Sequence, residues 1–275
     1  MNAWLIIGIA LLIVLVLILF RNRSSSFKSL LSFWMAAFIF TMVLYNTSTD
    51  SDHEVASALQ EVNRTSEFQL IEIKDKVLLD LPVVHQLPEL PRGCEVTSLA
   101  MLLESAGTSV DKMELAEKVK KDSSPYVVKD GKVYFGNPHH GFVGDMYNFD
   151  NPGLGVYHGP IMELGETYLS GRMVNLTGES FEELKVPLSD GRPVWVIINA
   201  EYRELPDSYF EVWETASGPV KITKKEHSVL ITGYDQNYVY FNDPLTGKKN
   251  KKAPINDFKK SWVQMGSQAL TYTQE

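Results

Sequence analysis

Hydrophobic positions divide the chain into two regimes. Near the amino terminus they are continuous: Ala3–Phe20 reads AWLIIGIALLIVLVLILF and Ser29–Tyr45 reads SLLSFWMAAFIFTMVLY, neither with a charged side chain. At about 1.5 Å rise per residue, each run makes a helix of roughly 25–27 Å, close to a hydrocarbon core of about 30 Å. Residues 1–48 are therefore expected to form a hairpin of two transmembrane helices. A cleaved signal peptide fits the first run less well. MNAW supplies no basic side chain, and RNRSSSFK follows in place of a small-residue cleavage site. The polar segment 49–67 reads as a stalk, and 68–275 as one globular domain.

In that domain the apolar positions become periodic. FQLIEI and KDKVLLDLPVV alternate and predict a strand or hairpin. From Cys94 the spacing becomes helical: Val96, Leu99, Ala100, Leu103 and Ala106 share one face, and Gly107 is a natural stop. Asp111 to Lys121 predicts a second helix. Gly136 to Pro160, rich in glycine, proline and aromatics, predicts an ordered loop that walls a cleft. Beyond it come a helix from Ile161 to Ser170, a short strand in MVNLTG and a short helix in SFEELKVPLSDG. GRPVWVIINA reads as a buried strand, with Val194, Val196 and Ile198 on one face and Trp195 and Ile197 on the other. HSVLITGYDQNYVYFNDPLTG is a hairpin. A helix followed by strands, without strand–helix alternation or internal repeats, predicts an α+β class.

Charge narrows the picture. The chain has 26 Lys and Arg against 34 Asp and Glu, a formal net charge of −8. Arg21, Arg23 and Lys28 lie between the two apolar runs, so the positive-inside bias places that connector in the cytoplasm. Everything after Tyr45 is then expected outside, as the external part of a multi-pass cell-membrane protein. That part holds the other 23 cations and all 34 anions, net −11, which argues against a nucleic-acid partner. With Cys94 the only cysteine, no intramolecular disulfide can form, and the core must hold the fold.

Cys94 follows Gly93 at a predicted helix start, where free N–H groups and the helix dipole favour a thiolate. A lone cysteine is equally at home as a small buried hydrophobe. A nucleophilic thiol needs a base with a fixed tautomer. Of six histidines, His227 opens a rigid strand. If the hairpin is symmetric about Gln236, position 229 faces 243, and His227 and Asp243 become diagonal neighbours on one face. A bulge in the turn would spoil that register. Gln86 is a candidate oxyanion donor together with the Cys94 N–H. The bland alternatives are a half-buried strand histidine, a turn-forming Asp-Pro and a loop glutamine. His139, His140, Asp145 and His158 have no spacing typical of a metal site, and HExxH, GxSxG and CxxC are all absent. No metal or cofactor is expected.

GCEVTSLAMLL, GFVGD with GLGVYHGPI, GRPVWVIINA, the hairpin and WVQMGSQAL occur in that order. Together they resemble the C-thirty-nine-like cysteine peptidases, papain-like proteins related to the leader peptidases of bacteriocin exporters, over roughly Leu79 to Leu270. The resemblance implies a papain-like fold in which the helix bearing the cysteine packs on an antiparallel sheet. It also implies Cys94 as nucleophile, His227 as base, Asp243 as orienting acid and Gln86 as oxyanion donor. The expected partner is a peptide or protein substrate. No GxxxxGK[ST] sequence accompanies these blocks, so leader cleavage does not carry over. A non-catalytic binding module, acyl transfer by the same site, and an anchor that recognises a partner stand as alternatives. Oligomeric state is not legible.

Overall fold

The computed structural model describes residues 71–274. The expected membrane hairpin (1–48), the whole of the expected stalk (49–67) and residues 68–70 lie outside the described residues. Among the described residues no helix is long and apolar enough to cross a membrane.

The chain enters through β1 (Val77–Leu78), then forms α1 (Cys94–Ser105), α2 (Lys112–Lys118), β2 (Lys121–Asp122), β3 (Val127–Lys129), β4 (Lys132–Tyr134) and β5 (Phe142–Val143). Next come α3 (His158–Glu166), β6 (Met173–Asn175), α4 (Phe181–Ser189) and β7 (Val194–Asn199). After β8 (Phe210–Thr215) and β9 (Gly218–Thr223) it continues through β10 (Glu226–Tyr234), β11 (Tyr238–Asp243) and β12 (Lys248–Pro254). It closes with α5 (Ile255–Gln264) and β13 (Ala269–Tyr272).

Seven strands build the main sheet in the order β12-β11-β10-β7-β13-β6, with β1 added against the end of β10, and every pairing is antiparallel. β7 lies between β10 and β13, so both of its edges are paired, and packed side chains cover both of its faces. Trp195 and Ile197 join Val96, Leu99 and Leu103 of α1 in one apolar layer. Val194, Val196 and Ile198 join Phe181 and Leu184 of α4 and Phe258 and Trp262 of α5 in the other. The period-2 alternation read from GRPVWVIINA thus separates two cores rather than core from solvent. A second sheet, β3-β4-β8-β9, closes a smaller core around Phe135, Leu154 and Trp213.

Three expectations change. α1 is not half-exposed: Cys94 to Leu103 are all buried, because the sheet, α2, α3 and the glycine-rich loop enclose it. Asp111 caps α2 by accepting from the Met113 N–H at 2.7 Å, yet the helix ends at Lys118. Lys121 and Asp122 leave to pair in parallel with β5. α3 begins three residues before the expected Ile161, with Pro160 in its first turn, where a missing N–H costs nothing.

Candidate functional site

The start of α1 is fixed by close packing. A Cβ on Gly93 would stand 2.5 Å from Leu90 Cβ, so the turn before Cys94 tolerates only glycine at that position. Gly93 N–H donates to Leu90 O, and Arg92 N–H to Met146 O, both at 3.0 Å. No side chain caps the helix, which leaves first-turn N–H groups beside the thiol without an intrahelical acceptor. Cys94, Gln86 and His227 line one cavity of about 520 Å3. Its far wall is the glycine-rich loop, through Phe149, Pro152, Gly153 and Leu154.

His227 Nε2 lies 2.9 Å from Asp243 Oδ1, with both side chains buried. With Asp243 accepting, the proton sits on Nε2, and Nδ1 is the nitrogen left to accept one. Asp243 receives four further hydrogen bonds. Leu245 N–H donates to Oδ1 at 3.0 Å, while Tyr202 OH (3.0 Å), Thr246 Oγ1 (2.7 Å) and Lys251 Nζ (2.9 Å) donate to Oδ2. Burial alone would raise its pKa, but the His227 hydrogen bond and charge, with Lys251 and Thr246, outweigh burial and hold it far below the usual carboxylate range. Tyr202 reaches this position from a left-handed turn, φ 55°, after β7. Its ring lies edge-on to His227 at 6.3 Å between centroids.

The thiol does not match the simple expectation for a helix start. Cys94 Sγ donates to Glu95 Oε2 at 3.3 Å. Burial, then the carboxyls of Glu95 and Glu226, push the thiol pKa well above its ordinary value, and only the Ser228 backbone N–H works the other way. The resting cysteine is therefore a neutral thiol, because desolvation and two acidic neighbours exceed the helix-start effect.

Gln86 is buried, and its Nε2 donates to Leu90 O (3.1 Å) and Pro91 O (3.0 Å). Both amide protons thus hold the turn that carries Gly93 and Cys94. Donation to an oxyanion would require one of these carbonyls to be released.

His139 and His158 do not line the cavity of Cys94; with Tyr157 and Gln268 they line a separate one. His139 stacks edge-on to Tyr157 at 4.7 Å, and His158 N–H donates to Gln268 Oε1 at 3.0 Å. Among the described residues, the grouping with possible metal-ligand atoms all within 4.8 Å of one another is Cys94, Glu95 and Glu226.

Arg92, Glu95, Tyr202, Glu226 and Lys251 were not singled out from sequence. Glu95 and Glu226 each adjoin a candidate residue, and that adjacency was the available signal. Arg92 donates to the carbonyls of Asp145, Asn148, Phe149 and Asn151 at 2.6–3.4 Å, a role with no local sequence pattern.

Comparison with known proteins agrees with this architecture. A curated relative, the uncharacterized protein YvpB of Bacillus subtilis (strain 168), is 46% identical over 194 residues, covering 70% of this chain and 74% of its own. A crystal structure titled as a candidate C39-like peptidase from Bacillus anthracis is 48% identical, with a TM-score of 0.68. It covers 74% of this chain and 99% of its own. The Peptidase_C39 like family model matches residues 78–270, and the chain belongs to that family.

Proposed function

We propose that this protein is a cysteine peptidase in which Cys94 is the nucleophile, His227 the general base and Asp243 the acid that orients it. The observation that carries this reading is the bond between buried Asp243 Oδ1 and Nε2 of His227, which lines the same cavity as Cys94. Asp243 fixes the proton on Nε2, so Nδ1 is free to take the thiol proton. The sulfur then attacks the substrate carbonyl carbon, and the charge moves onto the carbonyl oxygen. The Cys94 N–H at the helix start is placed to stabilise that charge, with Gln86 contributing if it yields a carbonyl. His227 Nδ1–H protonates the departing amine. A water, deprotonated by His227, releases the acid product and regenerates the thiol. An amine in place of water would give acyl transfer by the same steps.

The apolar runs at the amino terminus, with three basic residues between them, support a membrane-anchored protein whose peptidase domain faces outward. The second reading is a peptide-binding module on the same fold, and the thiol's bond to Glu95 favours it over immediate catalysis.

Two experiments test these readings. Full-length wild type and Cys94→Ala, in detergent, are compared on a mixed peptide library by mass spectrometry. Products made only by the wild type support the peptidase, and identical spectra overturn it. Proteinase added to intact cells should remove the domain, whereas protection would overturn the outward orientation.

A further inference from the structure

Two buried carboxyls beside the nucleophile have no part in the steps above. Glu95 is fully buried, with Oε1 accepting from the Val156 N–H at 2.7 Å and Oε2 from the Cys94 thiol at 3.3 Å. Its backbone carbonyl accepts from Trp195 Nε1 at 3.0 Å, which fixes the residue to β7. Glu226, immediately before His227 on β10, is partly exposed as a residue, but its Oε1 is sealed and unpartnered. Gly155 passes so close to both that a Cβ there would stand 2.1 Å from Glu95 Oε1 and 2.6 Å from Glu226 Oε2. Neither carboxyl makes an ion pair among the described residues. The cations on the cavity wall are engaged elsewhere: Arg92 with loop carbonyls, Lys225 with Glu201 at 3.0 Å, and Lys224 with Glu211 at 3.5 Å.

We propose that Glu95 and Glu226 form a carboxyl pair that positions and restrains the Cys94 thiol, so that its proton passes to His227 only when the pair has itself taken up protons. The inference rests on the assignment of Cys94 and His227 as nucleophile and base. Glu95 is a positioning residue: it competes with His227 Nδ1 for the single thiol proton. While the pair is ionised, moving that proton to His227 would leave a thiolate against negative charge in a desolvated pocket. Once solvent protons neutralise the pair, the same transfer leaves only the thiolate–imidazolium pair.

The other titratable groups facing this cluster do not substitute for it. Tyr157, before α3, is held neutral by burial and by both carboxyls. Tyr202 donates to Asp243 and is likewise held in its phenol form. His227 is the proton's destination. Glu95 is pushed up to about 7 by burial, and Glu226 is also raised, by burial and by Glu95. Glu95 therefore changes charge near neutral pH, and the restraint on the thiol eases on the acid side of that change.

The test reads the thiol without a substrate. Full-length wild type, Glu95→Gln and Glu226→Gln are alkylated with iodoacetamide between about pH 5 and 9, and the rate at Cys94 is followed by intact mass. The Gln variants should react about tenfold faster than wild type near pH 8, the effect of one pKa unit, and match it near pH 5. Parallel profiles at every pH would overturn the proposal. If Glu95→Gln does not fold, Glu226→Gln decides alone, because its side chain lies on the cavity wall. Peptide cleavage is scored separately with Cys94→Ala. A failed peptidase reading thus leaves no products in any variant, and a failed carboxyl gate leaves superimposable alkylation curves.

Discussion

His227 and Asp243 meet at 2.9 Å because β10 carries one extra residue. Near the turn the hairpin pairs Tyr234 with Val239 and Gly233 with Tyr240. Beyond Thr232 the pairing becomes Ile231 with Phe241 and Leu230 with Asn242. The bulge shifts the register by one, and continuing that register sets position 229 opposite 243. Asp243→Asn keeps the shape but removes the charge shared by His227 and Lys251. It also turns amide protons toward groups that donate. Peptide cleavage should fall by about two to four orders of magnitude, measured as kcat with the thermal midpoint recorded in parallel. An unchanged kcat would remove Asp243 from the mechanism.

Stability should depend on pH through Glu95. Its pKa rises from an ordinary 4.5 to about 7 on folding. For a raised carboxyl, the stabilisation is full below the unfolded pKa and is lost as pH climbs through the folded one. From about pH 4.5 to pH 7 this group should cost the fold of order 3 kcal/mol. Glu95→Gln should flatten that slope, seen as similar denaturant midpoints at both ends of the window. A variant that keeps the wild-type slope would assign the loss to other groups.

Gly155→Ala tests the closeness of the glycine-rich loop to the carboxyl pair. The added methyl would collide with both Glu95 and Glu226, so loop or carboxyls must move. Overpacking of this kind costs about 1–3 kcal/mol. Because Val156 N–H then loses its acceptor, thermal denaturation should show a lower midpoint. Equal midpoints would mean that the loop accommodates a side chain freely.

Gln86→Ala separates anchoring from catalysis. It leaves the carbonyls of Leu90 and Pro91 without their side-chain donors, at a cost of about 1–3 kcal/mol. The expected result is a lower unfolding midpoint. A large drop in kcat with no change in midpoint would instead give the amide to the oxyanion.

These comparisons indicate which features the sequence could carry. Alternation in VWVIIN placed Trp195 and Val196 on opposite faces, since strand period depends on local geometry alone. The His227–Asp243 diagonal was also readable, though it emerges from a strand bulge at Thr232 that a symmetric hairpin does not contain. The helix beginning at Cys94 was legible; its complete enclosure was not, because burial of Thr97 and Ser98 depends on elements distant in the chain. The second sheet was missed. Its strands are short or largely exposed, and β4 pairs with β8 about eighty residues away. The neutral thiol was missed for a similar reason: Glu226 approaches Cys94 only through the fold.

Arg92 has a further consequence for a protein of this kind. One wall of the cavity that Cys94 lines is main chain rich in glycine and proline. Four carbonyls of this loop accept hydrogen bonds from Arg92, and its guanidinium lies 4.7 Å from the Phe149 ring centre. These bonds tie the loop between Asp145 and Asn151 to one side chain. If Cys94 cuts peptides as proposed above, the residue two positions before it also keeps the cavity wall from presenting itself as a substrate.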